Sequence, residues 1–291
     1  MARVPVLPNA DSLGPLRHLA GKWAGTGLNI IWRPMLLPPG QQHFLELNLT
    51  LETTEFEIIP GRITNRGLCQ DDIDMFGLTY LQKIQDRNTG AVLHVEPGVW
   101  ARVPATTDPA VPESVVRMAS IPHGASVLAQ GLAATAAEPP RIGRSDIVPF
   151  VTGQPNRRIA LPPEADLAVP SDFRSPPGAT DGITQAMLDD PNSLLTQALD
   201  GASVLSTTTL HVSSDPAAPV PGGGVVNTAF LQGTADGPNA QAGRVTATFW
   251  IETLRTSSGG TALQLQYSQT VLLNFAGLSW PHVSVATLRK V

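Results

Sequence analysis

His282 closes the tripeptide Trp280-Pro281-His282 and leads into the alternating run Val283-Ser284-Val285-Ala286-Thr287-Leu288. A neutral imidazole at the head of a strand is suited to ligate a metal, and without a metal it is a rim histidine. Trp280 and Pro281 fix where such a strand begins and can wall a bound group. His94 and Glu96 are two residues apart, so on a strand they share a face. A carboxylate beside an imidazole sets up an acid–base pair, and the same pair can simply knit a barrel end together. His123, in Ser120-Ile121-Pro122-His123-Gly124, falls in a turn between strands. From a barrel mouth it could act as acid or base on a ligand held opposite His282, or it could face solvent. His18, His43 and His211 lack comparable surroundings. Cys69 precedes Asp71, Asp72 and Asp74, an acidic neighbourhood that disfavours a reactive thiolate.

The elements that must position these groups are strands. Gly21-Lys22-Trp23-Ala24-Gly25-Thr26-Gly27 reads as an opening strand. Gly21, Gly25 and Gly27 strip one face of side chains, so the strand can bend and another chain or a flat ligand can come close. Trp23 shares that face, where a large ring can plug one end of a barrel. In Phe44-Leu45-Glu46-Leu47-Asn48-Leu49-Thr50-Leu51-Glu52 leucines alternate with polar residues without a break, which predicts one buried and one wet face. A strand from Ala91 to Val95 is expected to turn at Pro97-Gly98. Further strands are expected at 78–85, 114–119, 126–130, 203–212, 244–254, 263–273 and 283–288. Many strands separated by Gly, Pro, Asn and Asp suit an antiparallel meander closed on itself, with no exposed edge.

The motifs G-x-W-x-G-x-G at Gly21 to Gly27, H-x-E-x-G at His94 to Gly98, and Gln269-Thr270-Val271 leading to a histidine before the C-terminal strand resemble the nitrobindin family of heme-binding β-barrels. The resemblance covers residues 15–132 and 243–291. It implies an up-and-down antiparallel barrel like that of fatty-acid-binding proteins, with heme b as cofactor and His282 as the proximal iron ligand. It also implies a cofactor site framed by Gly21, Trp23, Gly25, Gly27 and Trp280. Where the family continues with a fourth alternate glycine and Tyr-Pro-Thr, this chain has Leu28-Asn29-Ile30-Ile31-Trp32. The segment after His282 is one residue longer than the family pattern, which would reverse the direction of its side chain. A β-bulge near Trp280-Pro281 is expected to restore it.

The domain reading is a lead-in at 1–14, the first part of the barrel at 15–133, an insertion at 134–225 and the rest of the barrel at 226–291. Prolines 139, 140, 149, 155, 162, 163, 170, 176 and 177 cannot enter a regular sheet, which marks the insertion. Asp190-Pro191 reads as a helix start within it, with Gly201 as the stop. Its apolar residues Ile147, Val148, Phe150, Leu188, Leu194 and Leu195 call for burial, as a lid or as an interface of a homodimer.

Composition narrows the class. Of 291 residues, 42% are hydrophobic and 15% charged, with 26 Gly and 27 Pro, which favours turns and strands over long surface helices. A net charge of −5 and the lack of a basic cluster argue against nucleic acid. One cysteine excludes an internal disulfide and a multi-cysteine zinc site. No apolar stretch reaches membrane-spanning length and prolines interrupt the N-terminal run, so a cytoplasmic protein is expected. Hydrolase, kinase and dehydrogenase motifs are absent from the sequence. The expected function is heme binding, with chemistry on nitric oxide or peroxynitrite, or a peroxide-dependent reaction on a small organic substrate. The alternative is a heme-free carrier of a small hydrophobic ligand.

Overall fold

The computed structural model describes residues 10–35, 38–66, 71–108, 110–122, 125–215, 241–242 and 244–291. Ten long strands succeed one another: β1 (Gly21–Pro34), β2 (His43–Ile58), β3 (Ile73–Asp86), β4 (Val92–Val103), β5 (Ser114–Ile121), β6 (Ala125–Ala136), β7 (Val204–Ser213), β8 (Arg244–Arg255), β9 (Thr261–Phe275) and β10 (Leu278–Lys290). Each pairs antiparallel with the next. β1 also pairs with β10, from Trp23↔Lys290 to Ile30↔Val283, which closes the sheet. The architecture is the up-and-down barrel expected from the alternation.

Helix α1 (Ala10–Leu13) and a 3-10 turn over Gly14–Leu16 enter one end. Leu13, Leu16 and Leu19 are buried there with Trp23, Trp100 and Leu210 in one apolar cluster. The Trp23 indole donates to the Leu19 carbonyl at 2.6 Å, so the ring plugs this end without an unpaired N–H.

The two faces of β2 are arranged opposite to the simplest reading of its sequence. Leu45 and Leu47 point outward and are buried beside Leu28, Ile30 and Trp32 of β1. Asn48, Thr50, Glu52 and Thr54 point into the lumen and are buried as well. Both faces are dry because residues 137–203, the strap, cover the outer wall. Leu51 shows where that cover ends, being 44% exposed.

The strap adds Ile147, Ala165, Leu188 and Leu195 to the outer apolar cluster. Backbone bonds fasten it. Leu45 N–H donates to Phe173 O at 2.9 Å and Ser175 N–H to Leu45 O at 2.9 Å, covering the stretch of β2 that β3 does not reach. Phe150–Val151 pairs with Ser279 and Leu278 of β10. The barrel resumes at Val204, so β7, placed by sequence within the insertion, is a wall strand. The strap's apolar residues pack on the wall, not on the lumen. Its helices are α2 (Gln185–Asp189) and α3 (Ser193–Gln197). Asp190-Pro191 opens the helical segment as read: the Asp190 carboxylate accepts from the Asn192 N–H as an N-cap does, Ser193 N–H donates to Asp190 O, and regular helix follows from Ser193 to Gln197.

β4 runs straight through Pro97-Gly98, where a turn was expected. Its pairing with β5 ends at Gly98↔Ala119, so Pro97 lies just past the last pair and its missing N–H breaks no ladder bond on that side.

Glu252, on the outer face of β8, is fully buried opposite Gln264, and neither of its carboxylate oxygens has a hydrogen-bond partner. Burial pushes its carboxyl up to about 8, the positive charge of Arg289 offsetting this only in part. The folded pKa lies above the ordinary 4.5, so the unfolded chain gives up this proton first and stability falls as pH rises from about 4.5 to about 8. Glu252→Gln keeps the shape and removes the acid. It is expected to raise the thermal midpoint at pH 8 by on the order of 2–4 °C and to leave it unchanged near pH 4. Calorimetry at the two pH values checks this, and equal shifts at both would refute the assignment.

Candidate functional site

The inward face of each wall strand sets the chemistry of the lumen. β2 contributes Thr50 and Glu52, β3 Tyr80 and Gln82, β4 His94 and Glu96, β5 Arg117, and β9 Tyr267 and Gln269. Arg117 stands at the centre, its side chain 3% exposed and that of Glu96 0%. Its Nη2 donates to Glu96 Oε1 at 2.6 Å, its Nε to Tyr80 Oη at 3.0 Å and its Nη1 to Gln269 Oε1 at 2.6 Å. The guanidinium carbon lies 5.2 Å from the centre of the Phe249 ring. Tyr80 also donates to Glu96 Oε1. His94 Nε2 is 3.0 Å from Glu96 Oε2. Glu52 accepts from Tyr267 Oη at 2.6 Å, Thr50 Oγ1 at 2.8 Å and Gln82 Nε2 at 3.3 Å.

The two buried carboxyls are driven apart. Burial works against the charge on Glu96, but the Arg117 guanidinium, with hydrogen bonds from His94 and Tyr80, holds its pKa down at about 2. Burial also dominates at Glu52, and there the neutral donors Tyr267, Thr50 and Gln82 offset it only in part, so its pKa rises. Glu96 is therefore an ion held by an ion, whereas Glu52 leans toward the neutral acid. Little space separates these groups. The waist between Thr54, Tyr80, Gln82, Arg117, Phe249 and Tyr267 leaves about 10 Å³, room for about one water molecule.

His282 lies beyond the waist, toward the end opposite the plug. The β9–β10 register runs unbroken from Gln264↔Arg289 to Phe275↔Leu278. His282 therefore shares its face with Ser284, Ala286 and Leu288, the last two belonging to the luminal cluster. The expected bulge near Trp280-Pro281 is not there, and the side chain is luminal without it. Nε2 of His282 is 2.6 Å from Asn29 Oδ1, to which Ser284 Oγ donates at 2.9 Å. Asn29 donates to Asn48 Oδ1 at 3.2 Å, and Asn48 to Asp86 Oδ2 at 2.8 Å, so a polar chain crosses β10, β1, β2 and β3.

The other sequence candidates fall in separate places. His94 and Glu96 do meet on one face. Gly21 and Trp23 lie at the plugged end. Gly25 and Gly27 serve the approach of a strand: a Cβ on Gly25 would sit 2.1 Å from Thr287 O, and one on Gly27 2.4 Å from Val285 O, both in β10. Trp280 belongs to the outer apolar cluster, stacked on Phe275 at 5.0 Å and tilted against Trp32 and His43, with its indole donating to Phe275 O. His43, unremarkable by sequence, pairs with Glu164 of the strap at 3.2 Å. His123 and Cys69 lie outside the described residues. Among the described residues no group of three or more His, Cys, Asp or Glu side chains is placed to hold a metal ion.

Sequence reading missed Arg117, Glu52, Tyr80, Gln82 and Tyr267. Arg117 did leave a trace, as the one charge within Val115-Val116-Arg117-Met118-Ala119.

Fold and interior together define a closed ten-strand antiparallel barrel with a polar, ion-paired waist and a histidine on its luminal wall. No family model matches the chain, and no curated protein matches it. Among solved structures it is similar to the crystal structure of Rv2717c from M. tuberculosis, at 15% identity, over 98% of this chain and 99% of that chain, with a TM-score of 0.38. A likeness of that degree says nothing about ligand or activity. No helix among the described residues is long and apolar enough to cross a membrane.

Proposed function

We propose that the barrel binds heme b in the half beyond the waist, with His282 as the proximal iron ligand. The observation that supports this is the unbroken β9–β10 register, which turns the His282 imidazole to the lumen. The residues fit the group in kind. Iron in heme needs one protein imidazole, and a neighbouring hydrogen-bond partner such as Asn29 is what orients an axial histidine. The filled waist confines any larger ligand to the side of His282. Bound there, heme supplies an iron with a further position for nitrogen oxides or peroxide. The chain's own part is acid–base. Glu96, kept ionised by Arg117, orients the His94 imidazole, whose side chain is 21% exposed and so able to exchange a proton.

The polar lumen favours one second reading, a heme-free carrier. Its ligand would carry polar groups, because Glu52, Gln82 and Glu96 make the interior a poor solvent for a purely hydrophobic molecule. A visible spectrum of the purified protein, before and after addition of hemin, separates the two. A Soret band that saturates is expected. A spectrum equal to that of free hemin would reject the heme reading and leave the carrier.

A further inference from the structure

A groove of about 500 Å³ lies outside the lumen, between the strap and the outer wall of the barrel. That is within the range of small-molecule pockets, about 300–1,000 Å³. Its floor is set by strand parity. Leu210 and Val212 of β7 and Phe249 of β8 belong to the luminal core, so Thr209, His211 and Thr248 face outward into the groove. His211 Nδ1 is 3.0 Å from Thr248 Oγ1.

The strap side carries the features that call for a ligand. Asn192 lines the groove and is only 6% exposed. Its Nδ2 donates to Gly143 O at 2.7 Å, but its Oδ1 has no hydrogen-bond partner. A buried amide oxygen without a donor is costly, and this one is sealed from solvent, so the strap must give locally before an O–H or N–H can reach it. Arg141 and Arg144 stand on the same wall, their side chains 88% and 77% exposed. The carboxylates nearest them, Glu138 and Asp190, are 3.7 Å away, beyond hydrogen-bond distance, and Arg144 spends one N–H on Asp189 O at 3.3 Å. Exposed pairs of that length hold a guanidinium weakly, which leaves both free to turn toward an anion.

We propose that this groove is a second ligand site, for a small hydroxylated anion: a hexose-sized sugar bearing a carboxylate or a phosphate. The ligand's hydroxyls exchange hydrogen bonds with Thr209 and Thr248 and supply the donor that Asn192 Oδ1 lacks. Its anionic group meets Arg141 and Arg144. The site depends on the strap and is independent of the lumen.

Isothermal titration calorimetry of the full chain with D-glucuronate, D-glucose 6-phosphate and D-glucose tests it. At least one of the two anions is expected to bind saturably and more tightly than D-glucose, and which one binds identifies the acid group. Joint Arg141→Gln and Arg144→Gln replacement is expected to weaken that anion roughly tenfold, the loss of about one charge-assisted hydrogen bond. Thr209→Trp, which fills the groove from its floor, is expected to abolish binding, with circular dichroism reporting that the barrel persists. His282→Ala is expected to leave affinity unchanged. The proposal is overturned if neither anion binds, if D-glucose binds equally well, or if the arginine and Thr209 variants bind normally. Loss of binding in His282→Ala would also overturn it, by placing the ligand in the lumen.

Discussion

Arg117→Met is expected to destabilise the fold by about 3–5 kcal/mol, the cost of leaving a buried carboxylate without its cation. Glu96 would keep only Tyr80 and His94, in a lumen with room for little water. Replacing both partners, as Arg117→Met with Glu96→Gln, removes the unpaired charge and should recover much of the loss. Urea unfolding followed by tryptophan fluorescence measures both. The wild type should also show an acid limb that the single variant lacks. Glu96 has a folded pKa of about 2, below the ordinary 4.5, so its contribution is complete above about pH 4.5 and is lost as pH falls toward 2. Equal midpoints for wild type and Arg117→Met would show that the pair contributes nothing.

Gly25→Val should act at the seam that closes the barrel. The new Cβ would lie 2.1 Å from Thr287 O and 2.8 Å from Leu288 Cα, both backbone atoms, so no side chain can swing aside. The β1–β10 ladder must part locally, and the loss should reach or pass the upper end of the about 1–3 kcal/mol typical of overpacking. Lys22→Ala, three residues earlier on the same strand and exposed, should stay within about 0.5 kcal/mol of wild type. Hydrogen exchange at Ala286, Thr287 and Leu288 would report the seam opening in the valine variant. An unchanged midpoint and unchanged protection would mean that β1 tolerates a side chain there.

Much of the wall was legible because side-chain alternation is local. The leucine run of β2, the spaced glycines of β1 and the polar–apolar rhythm of β10 each announce a strand. Which face of β2 turns inward was not, because that depends on the strap, distant in sequence, covering Leu45 and Leu47. The burial demanded by Ile147, Leu188 and Leu195 was readable, though not the wall they cover. Pro97 misled because a proline beyond the end of a ladder looks the same in sequence as one in a turn. The Arg117–Glu96 pair was invisible for a related reason. Its partners lie on neighbouring strands, and only the register of β4 against β5 brings them together. His282 stood out by type and position, while its direction depended on whether the β9–β10 ladder carried a bulge.

The role proposed for His282 is to hold heme through its luminal imidazole. A hemin titration of wild type and His282→Ala, followed at the Soret band under identical conditions, tests it most directly. Saturable, stoichiometric binding is expected for wild type, with binding abolished or severely weakened in the variant and both proteins folded by circular dichroism. Equal, stoichiometric binding by the two proteins would contradict it.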